Sequence, residues 1–196
     1  MKIGHGVVAT VAALVLGAGG ASAGTNLLTN GSFETGNFSG WTQGGNEGFT
    51  SVIACCDAGV TAAEDGTYYA SLGPIGSDGT LSQTITDTSG QYMVLSYWLA
   101  SDGATPNDFS VTWDGATLAS ATNVAATNGW ENVTFDVRGT GSDTLEFGFR
   151  NDPGFQGLDN VSVSAPEPAT WALMLVGFGA LGGAVRGRRG KAIAAI

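Results

Sequence analysis

FSVTWDGATLA, residues 109–119, reads as a strand, a two-residue turn and a second strand. Phe109, Val111 and Trp113 alternate with Ser110 and Thr112, so an extended chain carries all three apolar side chains on one face. Asp114-Gly115 then supplies the residue types that tolerate the positive φ angles of a tight hairpin turn. The alternation recurs in Val133, Phe135 and Val137, and again in Leu145, Phe147 and Phe149. Tyr92–Ala100 (YMVLSYWLA) differs: it is apolar on both faces, as a central strand covered on both sides would be.

Outward from this hairpin, short β-branched and aromatic runs alternate with turns rich in Gly, Asn, Asp and Ser, and no helical period appears between residues 24 and 165. The pattern predicts strands over Asn26–Phe33, Phe49–Ala54, Thr67–Leu72, Thr80–Thr86, Tyr92–Ala100, Phe109–Trp113, Ala116–Ala119, Glu131–Val137, Thr144–Phe149 and Leu158–Ser164. Strands this short, spaced about ten residues apart, indicate an all-β sandwich or jelly roll. Nothing recurs at a fixed period, which excludes a solenoid or propeller.

The two ends differ from this middle. Met1-Lys2 gives a basic start, Val7–Leu16 an uncharged apolar run, and Ala21-Ser22-Ala23 a small-residue cleavage site. That is the layout of a signal peptide over residues 1–23, cut after Ala23. Its apolar run falls well short of the roughly 20 residues that a bilayer requires. At the other end, the prolines of Ala165-Pro166-Glu167-Pro168 make a stiff, extended spacer. Ala169–Val185 (ATWALMLVGFGALGGAV) follows without a charge, and as a helix would reach about 26 Å, close to a hydrocarbon core. Trp171 stands where an interfacial anchor belongs, and Arg186, Arg188, Arg189 and Lys191 would remain in the cytoplasm. The expected organisation is therefore a signal peptide (1–23), one extracellular domain (24–165) and a C-terminal tail with a transmembrane helix (166–196).

Charge and absent residue types limit the function. Residues 24–165 hold sixteen acidic side chains against Arg138 and Arg150, a net charge of −14. Such a domain repels phosphate backbones, which argues against nucleic acid and suits divalent cations or neutral ligands. The only histidine, His5, and both lysines, Lys2 and Lys191, lie outside this domain. Serine–histidine, cysteine–histidine and Schiff-base chemistry therefore cannot be assembled in it, and any catalysis would rest on carboxylates. Cys55 and Cys56 are neighbours, about 3.8 Å apart at Cα, below the roughly 4.4–6.8 Å of ordinary disulfides. In an oxidising compartment they could close a vicinal ring, bridge to another chain or remain thiols. No base lies nearby in sequence to give them a catalytic role.

Pro166-Glu167-Pro168-Ala169-Thr170-Trp171-Ala172, a Gly-rich apolar stretch and Arg186-Gly187-Arg188-Arg189 together resemble the PEP-CTERM sorting signal in its Pro-Glu-Pro-x-x-Trp-Ala variant. The resemblance covers about the last 30 residues. It implies a Gram-negative bacterium that makes an exopolysaccharide, and a membrane-embedded exosortase that removes the tail near Pro-Glu-Pro. The protein would be held in the inner membrane before processing, and would lie at the outer surface or in the extracellular matrix afterwards. The arginine cluster is followed by GKAIAAI, a longer end than the family pattern has.

Asn30-Gly31-Ser32-Phe33-Glu34, Gly40-Trp41 and Leu158-Asp159-Asn160-Val161-Ser162-Val163 resemble the first and last strands of galactose-binding-like jelly rolls, the fold of many carbohydrate-binding modules. That resemblance implies that the two strands run side by side. It also implies that Glu34 and Asp159 hold a structural calcium, whose six to eight oxygen ligands backbone carbonyls would complete. Modules of this fold stack sugars on exposed rings, which makes Trp98, Trp113, Tyr68, Tyr69 and Phe155 the rings to consider. Trp98 and Trp113 fall on apolar strand faces, and they read as core, as do Tyr68 and Tyr69. Phe155 follows Asn151-Asp152-Pro153-Gly154, a loop, and is the expected ligand contact. The expected function is non-catalytic binding of extracellular polysaccharide. A purely structural matrix protein and a two-carboxylate glycosidase are the alternatives.

Overall fold

The computed structural model describes residues 24–165 together with Gly177 and Phe178. The expected signal peptide with Ala21 and Ala23, and the motif, apolar run and basic cluster from Pro166 onward, otherwise lie outside these residues. Among the described residues no helix is long and apolar enough to cross a membrane.

The alternating runs form ten strands: β1 (Thr42–Gly45), β2 (Thr50–Ile53), β3 (Tyr69–Leu72), β4 (Gly79–Thr86), β5 (Tyr92–Ser101), β6 (Asn107–Trp113), β7 (Ala116–Thr122), β8 (Glu131–Arg138), β9 (Ser142–Asn151) and β10 (Gln156–Ser164). They pair antiparallel in two five-stranded sheets: sheet I in the order β1-β4-β9-β6-β7, sheet II in the order β2-β3-β10-β5-β8. The chain repeatedly crosses from one sheet to the other, as a jelly roll does. At the β6–β7 turn both Asp114 and Gly115 have positive φ, 49° and 74°, the geometry that dipeptide favours.

Inward-facing residues of both sheets meet in one core. Phe147 is fully buried and packs against Trp41, Tyr97 and Phe109, at ring-centroid distances of 6.2, 5.3 and 5.9 Å. Trp41 in turn stacks on the buried Phe33 at 5.7 Å. The Asn30–Trp41 segment thus plugs one edge of the sandwich.

Three expectations change. Asn26–Phe33 is not a strand: Asn30 and Phe33 have positive φ, and the Asn30 side chain donates to the carbonyls of Asn37 and Ser39, closing a turn. The segment still runs beside β10, through single bonds from Leu27 N–H to Val163 O and from Val161 N–H to Gly31 O. A glycine-rich strand, β1, replaces it in the sheet count. β5 is not central either; β10 occupies the middle of sheet II, and Val94, Ser96 and Trp98 on the outer side of β5 are only half-buried.

Two further features position the site. Gly24 touches Ala165, so the domain begins and ends at one pole, where Ser164 pairs with Val94. Between β2 and β3, residues 54–68 fold back over the outer face of sheet II. There Ala58, Val60, Tyr69 and Ala100 form a second, smaller apolar cluster. All four residues of β3 are buried, covered by the main core on one side and by this cap on the other.

Candidate functional site

The cap gathers most of the residues that the sequence singles out. Cys55 and Cys56 are joined in a disulfide at its start. Next to them, the N–H groups of Cys56 and Asp57 donate to Tyr69 Oη at 3.2 and 2.9 Å. The Tyr69 ring is fully buried and meets Trp130 edge-on at 5.3 Å.

Glu34 and Asp159 hold the end of the cap at neighbouring places. Asp159 is fully buried on β10; its Oδ2 accepts the N–H groups of Glu64 and Asp65 at 2.8 and 3.1 Å, and its Oδ1 that of Asn160 at 2.7 Å. Glu34 Oε1 accepts the N–H groups of Thr67 and Tyr68 at 2.8 and 2.7 Å. Gly66 lies between them with φ 70°, and any side chain there would collide with the Glu34 carboxylate. Burial pushes the Asp159 carboxyl up to about 6, even against three N–H bonds, and the nearby charge of Glu64 adds to the rise. A desolvated carboxylate beside a second acid is a setting that a divalent cation would relieve, and hard oxygen donors suit calcium. Among the described residues no three His, Cys, Asp or Glu are grouped to hold a metal ion, so two carboxylates and backbone oxygens would have to serve.

Beside the cap lies a cleft of about 270 Å³, lined by Gly59–Ala63, Gly129 and Trp130. Trp130 is half-buried: its ring lies against Gly157 of β10, where no side chain intervenes, and its Nε1 donates to Ala62 O at 3.0 Å. Phe155 is not a free loop ring. Its N–H donates to Asp102 Oδ2 at 2.8 Å, and its ring lies half-buried against Gly73 at the edge of the same small cluster. Trp113 is core, as expected. Tyr68 is half-buried beside Gly36. Trp98 is half-buried and packs in neither apolar cluster. Trp130 is absent from the sequence-based candidates, although an aromatic directly after Asn128-Gly129 and before a strand is a signal that could have raised it.

Away from the cap, Asp143 is fully buried in hydrogen-bond contact with Asp87 and Asp114. Burial works to raise Asp143, but bonds from Asp114, Asp87 and Thr140 outweigh it and hold the group down at about 2. Burial raises Asp87, and the contact with Asp143 raises Asp114. This trio ties the β8–β9 turn, with Thr140 N–H 2.8 Å from Asp143 Oδ2. Carboxylates in direct contact lack the roughly 5–10 Å separation that glycoside hydrolysis uses.

Residues 164–189 match the PEP-CTERM protein-sorting motif. The chain carries a PEP-CTERM tail. Ahead of that tail, the domain resembles solved carbohydrate-binding modules. TmCBM61, in complex with β-1,4-galactotriose, aligns with a TM-score of 0.56 and 23% identity over 72% of this chain and 99% of its own. The CBM22-1 xylan-binding domain of Xyn10C from Paenibacillus barcinonensis gives 0.51 and 22%, over 76% and 99%. A cyclase from Fischerella sp. TAU gives 0.52 and 16%, over 75% and 98%. The PEP-CTERM chain therefore has the jelly-roll fold of carbohydrate-binding modules. No curated protein is significantly similar to it in sequence.

Proposed function

We propose that this is a non-catalytic carbohydrate-binding protein, exported with a signal peptide (1–23) and processed at its PEP-CTERM tail (166–196) by an exosortase. Its domain (24–165) then serves at the outer surface or in the exopolysaccharide of a Gram-negative bacterium. The observation that carries the binding reading is the half-buried Trp130 ring, which lines a 270 Å³ cleft, with Phe155 packed on the same small cluster. A flat ring held from behind, with one face open, is what the apolar face of a sugar stacks on.

The test is affinity electrophoresis of the full chain, in mild detergent, through gels containing the producing cells' exopolysaccharide. Wild-type chain is expected to be retarded. Trp130→Ala and Phe155→Ala should each weaken binding about tenfold, a change of about 1.4 kcal/mol. Free migration of a folded chain would leave the purely structural matrix reading in its place.

We further propose a structural calcium held by Glu34 and Asp159, supported by the buried, unneutralised Asp159. Saturating calcium at about 100-fold over Kd adds about 2.7 kcal/mol, which raises Tm by about 5–10 °C. Glu34→Gln and Asp159→Asn should remove that gain. Identical melts in calcium and in chelator would eliminate the metal.

A further inference from the structure

The outer faces of the two sheets differ. That of sheet I presents side chains such as Thr80, Ser82, Thr84 and Thr144, and its strands send no aromatic ring outward. On sheet II the cap covers the β2-β3-β10 side and leaves the β5-β8 side open.

On β5, Met93, Leu95 and Tyr97 point into the core, so Tyr92, Val94, Ser96 and Trp98 share the outer face. Tyr92 is 69% exposed, and Trp98 is half-buried but outside both apolar clusters. Six residues of extended chain set these two rings about 20 Å apart. β8 is the edge strand, and its outer side chains run in register alongside: Arg138 opposite Tyr92, Asp136 opposite Val94, Thr134 opposite Ser96 and Asn132 opposite Trp98. The result is a floor of two rings with small side chains between them, bordered by a rail of guanidinium, carboxylate, hydroxyl and amide.

Parts of the strip are already held in place. The Arg138 guanidinium lies 5.6 Å from the centre of the Tyr92 ring. The Asn132 amide donates to Ser96 Oγ at 3.0 Å. Beyond Arg138 a second cleft, of about 320 Å³, opens over Ser89, Gly90, Gly139 and Thr140. The two arginines of the domain differ. Arg150 has Asp78, Asp108 and Asp152 within 4.0 Å, whereas Arg138 has no acid within that distance among the described residues.

We propose that this strip is a second binding surface, which starts beside the Trp130 cleft and takes an extended neutral glycan chain along β5. Sugar rings stack at Trp98 and Tyr92, and hydroxyls bond to the donors and acceptors of β8. The occupant is a neutral glycan because the domain's charge of −14 repels polyanions, while the rail supplies both the donors and the acceptors that hydroxyl groups need. The inference rests on the carbohydrate-binding reading but on different residues, and it concerns chain length rather than binding as such.

The experiment uses the full chain in detergent and the producing cells' exopolysaccharide, cut into size fractions shorter and longer than about 20 Å. Tyr92→Ala and Arg138→Gln serve as the variants because both positions are exposed. The long fragments should bind wild type at least tenfold more tightly than the short ones. Both variants should lose that gain and keep the short-fragment affinity, while Trp130→Ala should do the reverse. A length dependence that survives both strip variants overturns this proposal and leaves the cleft reading intact, as does binding that falls steeply with salt. Failure of wild type to bind any fragment overturns both.

Discussion

Replacing Phe147 by alanine should cost the domain about 3–5 kcal/mol, the range for large aromatic deletions in a packed core. The side chain has no exposure and touches rings from three different parts of the chain: Trp41 from the N-terminal segment, Tyr97 from sheet II and Phe109 from sheet I. No single neighbour can move in without loosening its own sheet, so the cavity stays open. Small domains are stable by only about 5–15 kcal/mol, so the variant should melt more than 10 °C below wild type. Urea unfolding followed by tryptophan fluorescence measures this directly, with Thr84→Ala on the exposed face of sheet I as a control expected within about 0.5 kcal/mol of wild type. A loss under 1 kcal/mol for Phe147→Ala would mean that the two sheets do not meet at this ring.

The second large effect concerns location and should be nearly all-or-none. Produced in a Gram-negative host without an exosortase, the full chain should stay in the membrane fraction, since the uncharged run Ala169–Val185 ends in a basic cluster that resists translocation. A chain stopped at Ala165 should be recovered in soluble form. Carbonate extraction followed by immunoblotting separates the two outcomes. Full-length protein in the soluble fraction would show that the apolar run does not anchor the chain.

What could be read in advance divides along physical lines. Strands β2 to β10 are legible because alternation and short β-branched or aromatic runs between turns are local signals, and Asp114-Gly115 marks its hairpin because only a few dipeptides tolerate two positive φ angles. β1 is not legible: Thr42-Gln43-Gly44-Gly45 has no apolar alternation, and it is a strand only because β4 offers it a ladder. At Asn26–Phe33 the reverse holds: an apolar pattern is overridden by the turn that Asn30 closes. The cap carries no period at all. Its burial depends on the outer face of sheet II, which no window of residues 54–68 contains; Trp130 carries a local signal after Asn128-Gly129, but its place against the cap is equally non-local. The resemblance pairs Glu34 and Asp159 as calcium ligands; the structure shows them accepting N–H groups from adjoining stretches of one loop, 67–68 and 64–65.

The shared pole of Gly24 and Ala165 bears on how the protein meets its surroundings before the tail is cut. β10 runs for nine residues from Gln156 to Ser164, about 30 Å, and Phe155 stands at its far end, with Trp130 just ahead of the strand end that faces it. A tether at Ala165 therefore leaves these rings more than three Debye lengths from the anchoring point at physiological salt. Surface charge of a lipid leaflet is screened out over a separation of that size. A domain this acidic could otherwise feel the repulsion of an anionic membrane, yet the contact proposed at Trp130 and Phe155 should act alike on the anchored precursor and on the released product.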